Sequence, residues 1–301
     1  MILALLLACW RPAEEPPPGV IVVLKEAVPA WTRTFNPLLP DGSARWPARC
    51  GIYEPLLVYS ATRAEWIPWL ATSWSWDDPT HLRFTLRDGV SWSDGAPFGP
   101  ADVTFTFDLL RRHPALDQAG VHRHLLAVTA DADGVLFTLR HPWSPLLADI
   151  AHQPIVPAHL WSRVDDPLRF TDPDPVGTGP YTEILRFDAQ TWELGPNPHA
   201  WHPGPRLAGL RFPAIAGNDA ATLGLLRGEI DWAGVFLPAV DRLWLDPDPV
   251  HHLHHFPLMG GTVMLYPNTS RAPLDALPLR RALDLAIDRQ RLVDVALHGY
   301  S

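Results

Sequence analysis

The stretch FTLRDGVSWSDGAPFGPADVTFTF, Phe84 to Phe107, contains a full switch from strand to helix. At its start Leu82, Phe84 and Leu86 alternate with Arg83, Thr85 and Arg87, the period-two pattern of a strand with one buried face. Asp88-Gly89 turns the chain, and Ser93-Asp94-Gly95 turns it again. Pro100 then stands where a first helical position belongs, with Asp102 in the first turn. Val103, Phe107 and Leu110 follow at helical spacing. Just upstream, Trp74-Ser-Trp76 reads as a strand closed by the turn Asp77-Asp-Pro-Thr80. Downstream, Asp133-Gly134 turns a second β unit between Leu125 and Arg140, where Val135, Phe137 and Leu139 alternate.

Working outward, Gly19 to Leu24 reads as a buried strand and Trp31 to Pro40 as a loop. Pro145 to Leu160 reads as helical pieces broken by Pro154 and Pro157, and Asp165 to Pro175 as a polar loop. Val176-Gly-Thr-Gly-Pro180 is a tight turn into strands at Tyr181–Phe187 and Thr191–Leu194. Asn218 is placed to cap a helix running to about Arg227, with Gly228 past its end, and Glu229 to Trp232 starts a strand. Thr262 to Tyr266 reads as a further strand. Leu279, Ala282, Leu283, Ala286 and Ile287 form one apolar helical stripe, and Asp288 caps a second short helix.

With 301 residues, the chain is longer than one core usually organises, so two domains are expected. Its 24 Lys+Arg against 33 Asp+Glu give a net charge of -9, and no basic run is present, which argues against nucleic acid as the main partner. Lys25 is the single lysine, so a Gly-Lys phosphate loop is excluded. No apolar stretch reaches the ~20 residues that span a bilayer. The unusual counts are 34 Pro and 14 Trp, which imply fixed loops and either an aromatic core or stacking surfaces. Met1 to Leu7 is apolar, and Leu6-Leu7-Ala8-Cys9 reads as a lipobox whose cysteine carries lipid. The Pro-rich stretch Arg11 to Pro18 suits a tether, and Cys50, left without a partner, reads as a small buried hydrophobe.

Several of these segments, taken in order, resemble the bacterial extracellular solute-binding proteins of family 5, the oligopeptide-, dipeptide-, nickel- and oligosaccharide-binding components of ABC importers. The matching blocks are Ile52-Tyr-Glu-Pro-Leu56, Trp69-Leu-Ala-Thr-Ser-Trp74 and the run from Phe84 to Phe107. They continue with Val176-Gly-Thr-Gly-Pro-Tyr181, Asn197-Pro198 with Trp201, Gly228-Glu-Ile-Asp231, and Ala286-Ile-Asp-Arg289. The resemblance implies an α/β, periplasmic-binding-protein-like fold (type II, cluster C) of two lobes, the second incomplete and the chain an N-terminal portion. Expected divisions are a signal, lipobox and tether at 1–18, the start of the first lobe at 19–46 and an inserted β-rich subdomain at 47–175. The first lobe then continues over 176–255, and the second begins at 256–301. It also implies capture of a peptide or oligosaccharide outside the cytoplasmic membrane, delivery to membrane permease subunits, a monomeric state and no cofactor.

Loop residues after strand ends are the ligand candidates: Trp31, Phe35 and Asn36, then Tyr53 and Glu54, and Phe236. Gly260-Gly261-Thr262 sits at the expected crossing to the second lobe, where glycine permits close approach or hinging. Trp74, Trp76 and Trp92 are read as packing residues. His251-His-Leu-His-His255 would place two imidazoles on each strand face, too few for a full metal site, so no metal is assigned. No G-x-S-x-G or H-E-x-x-H occurs, and a binding protein rather than an enzyme is expected. The alternatives are a secreted hydrolase of the envelope and a non-transport periplasmic receptor.

Overall fold

A computed structural model of the chain describes residues 18–24, 28–39, 48–60, 63–131, 134–202, 205–233 and 265–296. The described residues up to 60 and from 64 to 233 form one compact unit, and those from 265 onward belong to a second.

The alternating segments of the first unit build an antiparallel sheet in the order β4 (Ala71–Asp78), β5 (His81–Leu86), β7 (Gly134–Leu139) and β6 (Leu125–Ala130). Leu82 lies opposite Phe137 and Phe84 opposite Val135 on β7, and Leu86 lies opposite Ala71 on β4, so the apolar residues of the β5 pattern meet apolar partners. Helix α1 (Pro100–Arg112) covers this face with Val103, Phe107 and Leu110, each at most 4% exposed. The Phe107 and Phe137 rings meet edge-on with centroids 4.9 Å apart. Pro100 opens α1 as expected, and Asp102 closes its first turn by accepting the Gly99 N–H at 3.0 Å. The same carboxylate accepts the Trp92 indole N–H at 3.2 Å and the Ala158 N–H at 2.8 Å. It therefore fixes α3 (Ala158–Trp161) as well; α2 (Leu146–Ala151) is the other short piece in this proline-broken stretch. Trp92 is fully buried, and Trp74 and Trp76 are half-buried against the core.

A second sheet runs β11 (Trp232–Ala233), β1 (Val20–Leu24), β10 (Gly209–Pro213), β9 (Thr191–Pro196) and β8 (Tyr181–Phe187). Strand β1 pairs parallel with both β10 and β11, while β10, β9 and β8 are antiparallel to one another. Between β1 and β8 the chain makes the whole β4–β7 sheet and the hairpin of β2 (Leu57–Ser60) with β3 (Glu65–Pro68). Trp192 on β9 anchors the aromatic core here, stacked on Phe212 with centroids 4.4 Å apart. Helix α4 (Asn218–Leu226) begins one residue earlier than expected in its capping: Gly217 takes the cap position at φ 90°, a conformation open to glycine, and Asn218 is the first helical residue.

In the second unit α5 (Leu277–Ala286) and α6 (Arg289–Ala296) follow the expected pattern. Asp288 caps α6 by accepting the Arg291 N–H at 2.9 Å. No residue of α5 is buried. Leu265 and Tyr266 are exposed and outside any strand; the rest of the expected strand at 262–266 lies outside the described residues.

Candidate ligand-binding site

Open α/β sheets bind ligands beyond the carboxyl ends of their parallel strands. In the first unit that end of β1 leads into residues 28–39, which have no regular secondary structure. The side chains that hold this loop are those the sequence singles out. Trp31 is 4% exposed; its backbone N–H donates to the Ala189 carbonyl at 2.8 Å, and its ring meets Trp192 edge-on at 5.7 Å. Phe35 is fully buried between Phe187 (5.8 Å) and Trp192 (5.2 Å). Asn36 donates to the Phe170 carbonyl at 2.8 Å and the Pro167 carbonyl at 3.2 Å, and accepts the Leu38 N–H at 2.9 Å. All three point inward in this conformation, while Thr32 and Arg33 between them face solvent. Arg33 pairs with Asp174 at 2.8 Å and donates to the Pro173 carbonyl at 3.0 Å.

The 31–38 loop is thus zipped to the 165–175 loop, and Tyr53 closes the seam from below. Its hydroxyl donates to Asp172, and both groups are nearly fully buried. Burial, reinforced by the Asp172 charge, holds the Tyr53 phenol well above its ordinary range. Burial also pushes the Asp172 carboxyl up to about 6, with Asp174 adding to the rise and the Tyr53 hydrogen bond opposing it. Asp172 adopts φ 51°, a left-handed backbone that Asp tolerates better than most residues but still at some cost.

The neighbouring Glu54 is also buried, at 3% exposure, but on different terms. Its two oxygens accept the indole N–H of Trp69 at 2.7 Å and of Trp201 at 2.8 Å, and His202 Nε2 lies 3.5 Å away. Arg87 covers the Trp201 ring at 4.4 Å and donates to the Trp69 carbonyl at 2.8 Å. Burial raises the Glu54 carboxyl, and the indole donors and His202 partly offset that. Directly behind it, a Cβ on Gly177 would lie 1.9 Å from the Ile52 carbonyl oxygen, and one on Gly179 would lie 2.1 Å from that of Gly51. Only glycine lets this turn pack backbone on backbone, and the Gly179 N–H then reaches the Ile52 carbonyl at 2.9 Å. Ser93 N–H donates to the Gly177 carbonyl at 2.9 Å and Asn197 to the Gly179 carbonyl at 2.8 Å. Five blocks scattered over 150 residues of sequence therefore meet at one junction.

Trp31, Phe35, Asn36, Tyr53 and Glu54 are accordingly brought together in one unit. Phe236, Gly260, Gly261, Thr262, the His251–His255 run and Cys9 lie outside the described residues. Asp172 and His202 carry no sequence signal: one is among several aspartates in a proline-rich loop, the other follows Trp201 without a recognisable spacing.

The fold is α/β and periplasmic-binding-protein-like. A solved structure of the periplasmic oligopeptide-binding protein of a Thermotoga maritima oligopeptide ABC transporter, with mannohexaose bound, superposes with a TM-score of 0.78. It covers 95% of this chain and 54% of that one at 23% identity. The model of bacterial extracellular solute-binding proteins, family 5 Middle, matches residues 65–301, and the chain belongs to that family. Protein XP55 of Streptomyces lividans is 32% identical over 88% of this chain and 48% of that protein. The probable D,D-dipeptide-binding periplasmic protein DdpA of Escherichia coli (strain K12) is 30% identical over 99% of this chain and 59% of that protein. The chain spans about half the length of the curated relatives it matches.

Proposed function

We propose that this chain belongs to the solute-capturing component of an ABC importer, binding short peptides outside the cytoplasmic membrane and presenting them to the permease without turning them over. The observation that carries the reading is the family match over residues 65–301, joined to a junction in which the family's motif blocks contact one another. The sheet of β1 and β8–β11 would be the first lobe, with residues 47–175 inserted in it and the second lobe beginning near 256. Ligand contacts would come from the 28–39 loop at the carboxyl end of β1, from Phe236, and from Gly260, Gly261 and Thr262, with Trp31, Phe35, Asn36, Tyr53 and Glu54 shaping the wall. Envelope location would be secured by lipid on Cys9.

Peptide is favoured over oligosaccharide by the fate of the tryptophans. Sugars need exposed ring faces, yet among the described tryptophans only Trp143 and Trp232 are exposed. A thermal-shift screen of residues 19–301 with di- to pentapeptides, oligosaccharides and Ni²⁺ tests the reading. A ligand of the native state at a hundredfold excess over its Kd adds about 2.7 kcal/mol to stability. A midpoint raised by peptides and unmoved by sugars supports the proposal; a shift with sugars or metal alone overturns the ligand class, and hydrolysis of the added peptide overturns the binding reading.

A further inference from the structure

We propose that Tyr53 and Asp172 form a proton-operated latch. It holds the 165–175 loop against the 31–38 loop while the Asp172 carboxyl carries a proton, and loosens that seam when the proton leaves. The seam is a line of contacts with Asp172 at its centre. Phe35 N–H donates to the Thr171 carbonyl at 2.9 Å, Asn36 reaches the Phe170 and Pro167 carbonyls, and Arg33 reaches the Pro173 carbonyl. A shift of the 165–175 loop would break these contacts together.

Asp172 is poorly equipped to hold a charge in this place. It is 5% exposed, and among the described residues its hydrogen-bond donor is the Tyr53 hydroxyl and no cation pairs with it. The charged group that faces it is Asp174, a like charge whose own partner is Arg33. On the other side Tyr53 is met by the Trp161 side chain and the Val176 backbone, neither of which brings charge. Trp161 also packs edge-on against Phe170 at 5.2 Å, so the groups around the latch are tied to the same loop. The left-handed backbone of Asp172 adds a local cost that an opened loop would relieve.

The direction follows from linkage. The closed seam raises the Asp172 carboxyl from about 3.8 to about 6, so closing takes up a proton between these values. The seam is then firmest below about pH 3.8, weakens as pH rises, and reaches its weakest level above about pH 6. Over that window the closing equilibrium falls on the order of a hundredfold. Asp172 thus acts as a positioning residue for the 31–38 loop, and the chain would hold that loop more tightly in an acidified envelope than at neutrality.

Hydrogen exchange of residues 31–38 and 165–175 in the ligand-free chain, corrected for intrinsic rates between pH 4 and 7.5, tests the latch without any reference to the captured solute. Wild type is expected to show opening that increases on the order of a hundredfold up to pH 6 and then levels off. Asp172→Asn keeps the shape and the acceptor for Tyr53 but cannot ionise, so its exchange is expected to be flat. Tyr53→Phe removes the donor that favours the ionised carboxyl in the closed seam, so the upper end of the transition is expected to move above about pH 6 while its lower end stays near pH 3.8. A wild-type segment that shows no pH dependence, or an Asp172→Asn chain that keeps the wild-type profile, overturns the proposal. If Asp172→Asn does not fold, a Tyr53→Phe profile that levels off at the wild-type pH overturns it.

Discussion

Tyr53 and Glu54 are adjacent in sequence, yet they lead to two buried carboxylates of opposite character. Glu54 is held by two indole N–H groups, with an imidazole 3.5 Å away. Asp172, reached through Tyr53, has one hydroxyl donor and a negatively charged neighbour. Burial alone would make both costly. What separates them is the number of donors aimed at each. The Glu54 side is a structural junction where Trp69, Trp201 and the glycine turn lock together. The Asp172 side is a seam between two loops, secured by backbone carbonyls and one protonatable group.

Glu54→Ala should have the largest effect on stability. It leaves two indole donors and His202 facing a cavity, and the loss of a buried, paired carboxylate is expected to cost about 3–5 kcal/mol in urea unfolding. Glu54→Gln keeps one acceptor and the shape, so its cost should be clearly smaller; equal costs would mean that the donors do not matter. The Asp172 side should show itself through pH. Its carboxyl is raised on folding from about 3.8 to about 6, so the folded state binds the extra proton. Its contribution to stability is full below about pH 3.8 and lost by about pH 6, on the order of 3 kcal/mol. Glu54 and Asp102 are raised by burial as well and slope the same way. These carboxyls add a component of stability that rises on mild acidification in urea titrations, opposed by the His152 imidazole, which burial lowers, and Asp172→Asn should remove part of that component.

Gly177→Ala sharpens the junction side. Its Cβ would lie 1.9 Å from a backbone oxygen, so the turn must shift, at a cost of about 1–3 kcal/mol by thermal unfolding. Arg33→Ala should be the mildest change. Its ion pair with Asp174 is solvent-exposed at both ends, and such pairs are worth under about 1 kcal/mol.

Sequence reading succeeds where structure is local. The alternation around Phe84 and the Pro100–Asp102 helix start depend on neighbours within a few residues, and both form as expected. The motif residues Tyr53, Glu54, Trp69, Gly177 and Trp201 are legible one block at a time. That they touch is not, because their contacts span up to 147 residues. The same holds for β1, whose Val22 N–H is taken by Asp231, 209 residues later. The Gly217 cap shows a smaller limit: Asn218 has the right chemistry, but the backbone there needs φ 90°, which no pattern of side chains announces. Asp172 is the clearest case, since its chemistry comes chiefly from burial and from a partner, Tyr53, 119 positions away.

The proposed function rests on capture of a peptide at the loop beyond the carboxyl end of β1. Hydrogen exchange of residues 28–39, measured with and without the peptide that raises the unfolding midpoint, tests it most directly. Protection of that loop on binding, together with residues near 236 and 260–262, is expected. A peptide that binds while leaving 28–39 unprotected would contradict it.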